Sequence, residues 1–154
     1  VKRLVLSLLV PVLAAMAMIV GGGTASAAGN PYTAASACAH DFGGSWHQTK
    51  TRGHYAIKDR DKRHVGDVYL MYNSATGNNC VVTLKSIYVG KPTGISVLLE
   101  VQGRGYKYDD RNYKYYNAVQ AFARDRCVKY HGGIAMDAGY WAIAGPNTEW
   151  GNCH

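Results

Sequence analysis

The chain has 154 residues, 47% of them hydrophobic and 18% charged, and Lys and Arg outnumber Asp and Glu by 17 to 10 for a net charge of +7. That length bounds it to one modest core, and that apolar share excludes a disordered polyelectrolyte. The positive balance favours encounter with polyanions such as nucleic acid, wall teichoic acid or acidic sugar, without naming a specific partner.

Val1-Lys2-Arg3 precedes an apolar run from Leu4 to Val20 and a small-residue exit, Gly21-Gly22-Gly23-Thr24-Ala25-Ser26-Ala27. A cationic start, an apolar stretch and an Ala-x-Ala ending predict a secretory signal helix cut after Ala27. A retained anchor is the competing reading, and the missing basic stop-transfer flank speaks against it. Removing 27 of 154 residues leaves a mature chain of 127, residues 28–154, and the loss of Lys2 and Arg3 lowers the charge from +7 to +5. One extracellular domain is expected, with no membrane attachment after cleavage.

All four cysteines, Cys38, Cys80, Cys127 and Cys153, lie in the mature part. An even number in an exported chain predicts two disulfides, of which three pairings exist. Cys38 with Cys80 and Cys127 with Cys153 close the shorter loops and are preferred. A zinc site would need closer ligand pairs, and no Cys-x-x-Cys occurs.

Residues 28–64 read as a polar, basic loop region with Phe42, Trp46, Tyr55 and Ile57 as bulky anchors and one short strand near Tyr55-Ala56-Ile57. Residues 65–154 read as the β core. Asp67-Val68-Tyr69-Leu70-Met71-Tyr72 and Cys80-Val81-Val82-Thr83-Leu84-Lys85 flank an Asn/Ser/Gly cluster, which predicts a hairpin. Ile95, Val97, Leu99 and Val101 then alternate with Ser96 and Glu100, so the apolar face points to the core.

Gly105 to Asn117, GYKYDDRNYKYYN, puts five tyrosines into thirteen residues. With Asp109-Asp110-Arg111-Asn112 as a turn, Tyr108 would stand across from Tyr113 and Tyr106 across from Tyr115, a packed aromatic hairpin face worth roughly 0.2–1 kcal/mol per pair. The alternative is an exposed platform of Tyr106, Tyr108, Tyr113 and Tyr115 on which sugars or bases stack. The packed face is preferred. Beyond it, Ala118–Ala123 reads as a strand or a short helical turn, Cys127–Tyr130 as a strand, and the tail with Tyr140, Trp141, Ile143 and Trp150 as a docking segment. Short β-rich segments with glycine between them predict an all-β fold, a small antiparallel sandwich or Greek-key-like barrel with long loops.

Val68 to Asn73 with Thr76 to Lys85, Val97 to Gly103, and Cys127 to Gly133, in that order, resemble the spore-associated protein A family of actinomycetes. The Asn-x-x-Thr-Gly-x-Asn-Cys-Val-Val-Thr core at Asn73 to Thr83 carries most of the likeness. The resemblance implies a small exported protein recovered with the spore surface, without an assigned activity, whose four cysteines are structural bridges.

His47, His54 and His64 could gather a metal, and His47 with Asp59 or Asp61 could act as acid and base, but the spacing matches no ligand motif and the surroundings are basic, so no metal and no cofactor is expected. Lys50, Arg52, Lys58, Arg60, Lys62 and Arg63 form a candidate anion-binding loop for wall polymer or nucleic acid without sequence preference. A small ribonuclease-like enzyme would use Glu100 as base, His131 as acid and Lys129 or Arg126 on the phosphate. A protease inhibitor or a glycan-binding module using Trp46, Trp141 or the tyrosines is a third class. The preferred reading is a non-enzymatic surface component.

Overall fold

A computed structural model describes residues 29–153; the signal-peptide reading falls on residues outside them. The strands form two five-stranded sheets. The first contains β1 (His47–Gln48), β2 (His54–Lys58), β3 (His64–Asn73), β4 (Asn78–Lys85) and β8 (Tyr116–Phe122). In it β1 and β2 share one edge of β3, and β4 separates β3 from β8. The second contains β5 (Thr93–Val101), β6 (Gly105–Asp109), β7 (Asn112–Tyr113), β9 (Val128–Met136) and β10 (Tyr140–Ala144), in the order β10, β9, β5, then β6 and β7. Every pairing is antiparallel. The fold is therefore the expected antiparallel β-sandwich.

Alternation sets the core. Ile95, Val97, Leu99 and Val101 of β5 are buried against Val68, Leu70 and Val81 of the first sheet, with Tyr130 and Ile134 of β9 beside them. The two sheets approach closely at Gly132, where an added Cβ would fall 2.1 Å from Thr83 Oγ1 and 2.8 Å from Val68 Cβ. Buried Thr83 uses that proximity, donating from Oγ1 to the Ser96 carbonyl at 3.0 Å, and Asn117 Nδ2 likewise donates to the Ile95 carbonyl at 2.8 Å. These bonds cross between the sheets and satisfy polar groups that burial would otherwise penalise.

The expected hairpin is β3 with β4, in the register Met71 to Cys80 and Asn73 to Asn78, closed where the Gly77 N–H donates to the Asn73 carbonyl at 2.8 Å. All of β4 beyond Asn78 is buried, because both of its faces are covered. One faces the second sheet. The other lies under α1 (Ala34–Phe42), a helix in the segment read from sequence as loop.

Thr33 caps α1 reciprocally with Ser36: the Ser36 N–H donates to Thr33 Oγ1 at 3.1 Å and the Thr33 N–H to Ser36 Oγ at 2.8 Å. Its C-terminus stops at Gly43, whose φ of 69° favours glycine. Ala34, Ala37 and Cys38 are its buried positions, packed with Trp46, Met71, Val82 and Leu84, and Cys38 is bonded to Cys80 of β4. Cys127 pairs with Cys153, so both preferred bridges are present and no free cysteine remains among the described residues. The helix thus covers the outer face of the first sheet.

Candidate binding surface

The outer face of the second sheet carries a cluster of exposed aromatic side chains. Since Val97, Leu99 and Val101 point inward, Ser96, Leu98 and Glu100 point outward, and the register carries that face across the neighbouring strands. Glu100 stands between Tyr106 of β6 and Lys129 of β9, and Leu98 between Tyr108 and His131. On the far strand Trp141 stands opposite Ala135 and Ile143 opposite Gly133. Tyr106 is 69% exposed, Tyr108 49%, Trp141 40% and Ile143 54%. Trp150 joins them through Lys129, whose Nζ lies 4.3 Å from the indole centre.

Between the two edges the outward positions are mixed in size: Leu98, Glu100, Lys129 and His131 are large, and Gly94, Ser96, Gly133 and Ala135 are small. A Cβ at Gly94 would come within 3.0 Å of the Trp141 ring, and one at Gly133 within 2.5 Å of Ser96 Oγ. The small residues Gly94 and Gly133 thus lie beneath Trp141 and Ile143, and Leu98, Glu100, Lys129 and His131 continue the strip toward Tyr106 and Tyr108. Strands spaced about 4.8 Å apart make that strip roughly 15 Å wide from β6 to β10. Glu100 facing Lys129 leaves it close to neutral. Exposed aromatics gathered on one face mark an interaction surface more often than scattered ones do.

The tyrosine tract is split by the structure. Tyr108 faces Leu98 rather than Tyr113, because no hairpin forms: β6 and β7 both pair with β5 in one unbroken register, from Val101 opposite Gly105 to Thr93 opposite Tyr113. The chain runs straight through Asp110 and Arg111, and the Ile95 N–H donates to the Arg111 carbonyl at 3.0 Å. The expected packed face is corrected accordingly. Tyr106 and Tyr108 stand exposed on the outer sheet face, whereas Tyr113 points to the opposite side and Tyr115 meets Tyr32, ahead of α1, with ring centres 5.8 Å apart. Trp46, offered as an exposed aromatic, is buried at 7% under the helix and donates from Nε1 to the Gly43 carbonyl at 2.7 Å.

The basic segment is built structure rather than free loop. Ile57 is fully buried, and β2 separates Lys50 and Arg52 at one end from Lys58, Arg60, Lys62 and Arg63 at the other. Arg52 pairs with Glu149, Arg63 with Asp59 at 2.8 Å and Asp61 at 3.2 Å, and Arg60 lies 4.0 Å over the Tyr140 ring. Among the described residues Lys50, Lys58 and Lys62 make no ion pair. The six do not form one continuous anion site.

The histidines do not converge. His47 packs edge-on against Tyr72 at 5.7 Å, while Nε2 of His54 and of His64 lie 2.7 Å and 2.9 Å from the two oxygens of Asp67. Asp59 and Asp61, considered beside His47, are held by Arg63. Glu100, Lys129 and His131 do share the outer sheet face on adjacent strands. Burial, however, lowers the His131 pKa, and its Nδ1 is enclosed without a partner. That environment disfavours the imidazolium that a general acid would have to be at neutral pH. Arg126 is exposed in the turn before β9.

No sequence signal marked the outer face as a unit, since its residues come from four strands. The alternation in β5 identified its own outward positions, and only the register brought Tyr106, Tyr108, Trp141 and Ile143 alongside them.

No family model matches the chain, and no solved structure matches it. The chain is 31% identical over 137 residues to Spore-associated protein A of Streptomyces coelicolor, covering 82% of this chain and 84% of that one. With two disulfides that suit an extracellular or surface location and a likeness spanning most of both chains, this protein belongs to the spore-associated protein A family.

Proposed function

We propose that the protein is a secreted, non-enzymatic component of the spore or cell surface that binds surface glycan through the outer face of its second sheet. The observation that carries this is the exposure of Tyr106, Tyr108, Trp141, Ile143 and Trp150 together, on a sheet face that no helix among the described residues covers. Aromatic rings present an apolar face for the C–H side of a sugar and, in tyrosine, a hydroxyl for its rim. A near-neutral strip edged by aromatic rings suits a flat, uncharged polymer chain better than a strongly charged one. Family membership, paired cysteines and the signal-like start support the location. Lys50 and Lys58 add a weaker, salt-sensitive attraction to anionic wall polymer.

The test is retention of the purified mature protein on chitin and peptidoglycan columns at high salt, with a Tyr106→Ala/Trp141→Ala variant alongside. Retention of the native protein and early elution of the folded variant is the expected result. Equal elution of both would overturn the reading. Intact mass of the exported protein should show loss of residues 1–27.

A further inference from the structure

The inward side of the same edge strand builds a second, separate feature. Because the register along β5 is unbroken, Asp109, Arg111 and Tyr113 share a face two residues apart. Arg111 donates to Asp109 from Nε at 3.0 Å and from Nη2 at 2.7 Å, and the Tyr113 hydroxyl donates to Asp109 Oδ2 at 2.6 Å. This trio lines a cavity of about 370 Å³ together with Tyr32, Asp41 of α1, Lys114 and Tyr115. That volume lies in the ordinary range for small-ligand pockets, about 300–1,000 Å³.

The walls are held from behind. Asn30 Nδ2 donates to the Tyr115 carbonyl at 2.5 Å, Lys85 Nζ to the Tyr113 carbonyl at 2.9 Å, and Asn117 Nδ2 to the Asp109 carbonyl at 3.2 Å. Both carboxylates are already engaged: Asp109 as above, and Asp41 by the Tyr116 hydroxyl at 2.7 Å and by His40 Nδ1 at 2.8 Å. The cationic groups keep donors to spare. Lys114 is exposed and makes no ion pair among the described residues, and Arg111 bonds Asp109 through Nε and Nη2 without using Nη1. Tyrosine faces, the Lys114 ammonium and the unused Nη1 of an Arg111 whose charge is paired with Asp109 suit a ring that carries an anion.

We propose that this cavity binds one acidic sugar residue, a pyranose bearing a carboxylate, with Tyr32 and Tyr115 against the ring and Lys114 and Arg111 Nη1 on the carboxylate. This goes beyond binding of polymer on the outer sheet face and does not depend on it.

Glucuronate, glucose and inorganic phosphate are titrated separately into the mature protein by calorimetry, and into Lys114→Gln and Lys62→Gln variants whose thermal melts are recorded first. Glucuronate should bind at least tenfold more tightly than glucose. Lys114→Gln should erase that preference without shifting the melt, and Lys62→Gln should keep it. Absence of glucuronate binding, equal affinity for glucuronate and glucose, or an intact preference in Lys114→Gln would each overturn the proposal. Phosphate binding as tight as glucuronate would also overturn it, by reducing the cavity to a bare anion site. Monosaccharide titration and column retention report different surfaces, so either can fail alone.

Discussion

Lys85, only 1% exposed, donates from Nζ to the backbone carbonyl of Tyr113 at 2.9 Å, and so ties the end of β4 to the chain that leaves β7. The same ammonium donates to Thr93 Oγ1 at 2.8 Å and to the Lys91 carbonyl. Lys85→Met keeps the bulk but leaves these acceptors without a donor, and should cost about 1–3 kcal/mol in urea unfolding. Burial draws the Lys85 pKa down to about 8. Between pH 8 and the unfolded value near 10.4 the unfolded chain then holds more protons, so stability should rise across that window in the native protein. Lys85→Met should lack the rise.

Asp109 titrates in the opposite regime. Hydrogen bonds from the Arg111 guanidinium, and then from the Tyr113 hydroxyl, outweigh its burial and hold its pKa at about 2. Its stabilising contribution is present above the unfolded value near 4 and disappears as pH falls through about 2. With Arg111 largely in solvent, about 1–2 kcal/mol is expected. Comparing unfolding at pH 5 and pH 2 for the native chain and Asp109→Asn checks this, since the variant should lose less stability on acidification.

Tyr108→Ala should leave the fold nearly intact. A ring 49% exposed at a sheet edge loses its cross-strand contact with Leu98, about 0.2–1 kcal/mol, and a solvent-exposed hydrogen bond from its hydroxyl to Asp110. The melting temperature should move by a few degrees at most, while retention on chitin or peptidoglycan weakens. A collapse of stability would contradict the straight edge strand.

The β3 and β4 hairpin was legible because β-branched and aromatic residues flank an Asn-rich turn, and β5 because its alternation is regular. The edge strand was not. Asp109-Asp110-Arg111-Asn112 has turn composition, yet its charges alternate between solvent and the Asp109, Arg111 and Tyr113 network, which keeps the chain extended. Helix α1 was missed for a different reason: Ala34–Phe42 is short and weakly patterned, and its stability comes from a disulfide and packing that only the tertiary fold supplies. Strand β9 runs on through Gly132 and Gly133, which looked like an end, because the close approach of the sheets demands glycine at Gly132.

The two disulfides should separate stability from binding. Cys38 to Cys80 spans 42 residues and anchors α1 over β4, on the first sheet's outer face. Cys127 to Cys153 spans 26 residues and holds the tail, where Gly151 pairs with Val128 and Trp150 rests on Lys129 of the second sheet's outer face. Chain-entropy arguments give each bridge about 2–4 kcal/mol, so replacing either pair by alanine should lower the melting temperature comparably. Glycan retention should divide them. Cys38→Ala/Cys80→Ala leaves Tyr106, Tyr108, Trp141 and Trp150 in place and should keep retention at temperatures where it remains folded. Cys127→Ala/Cys153→Ala frees Trp150 from that face and should shorten retention under the same conditions. If both variants elute alike while folded, Trp150 is no part of the binding surface.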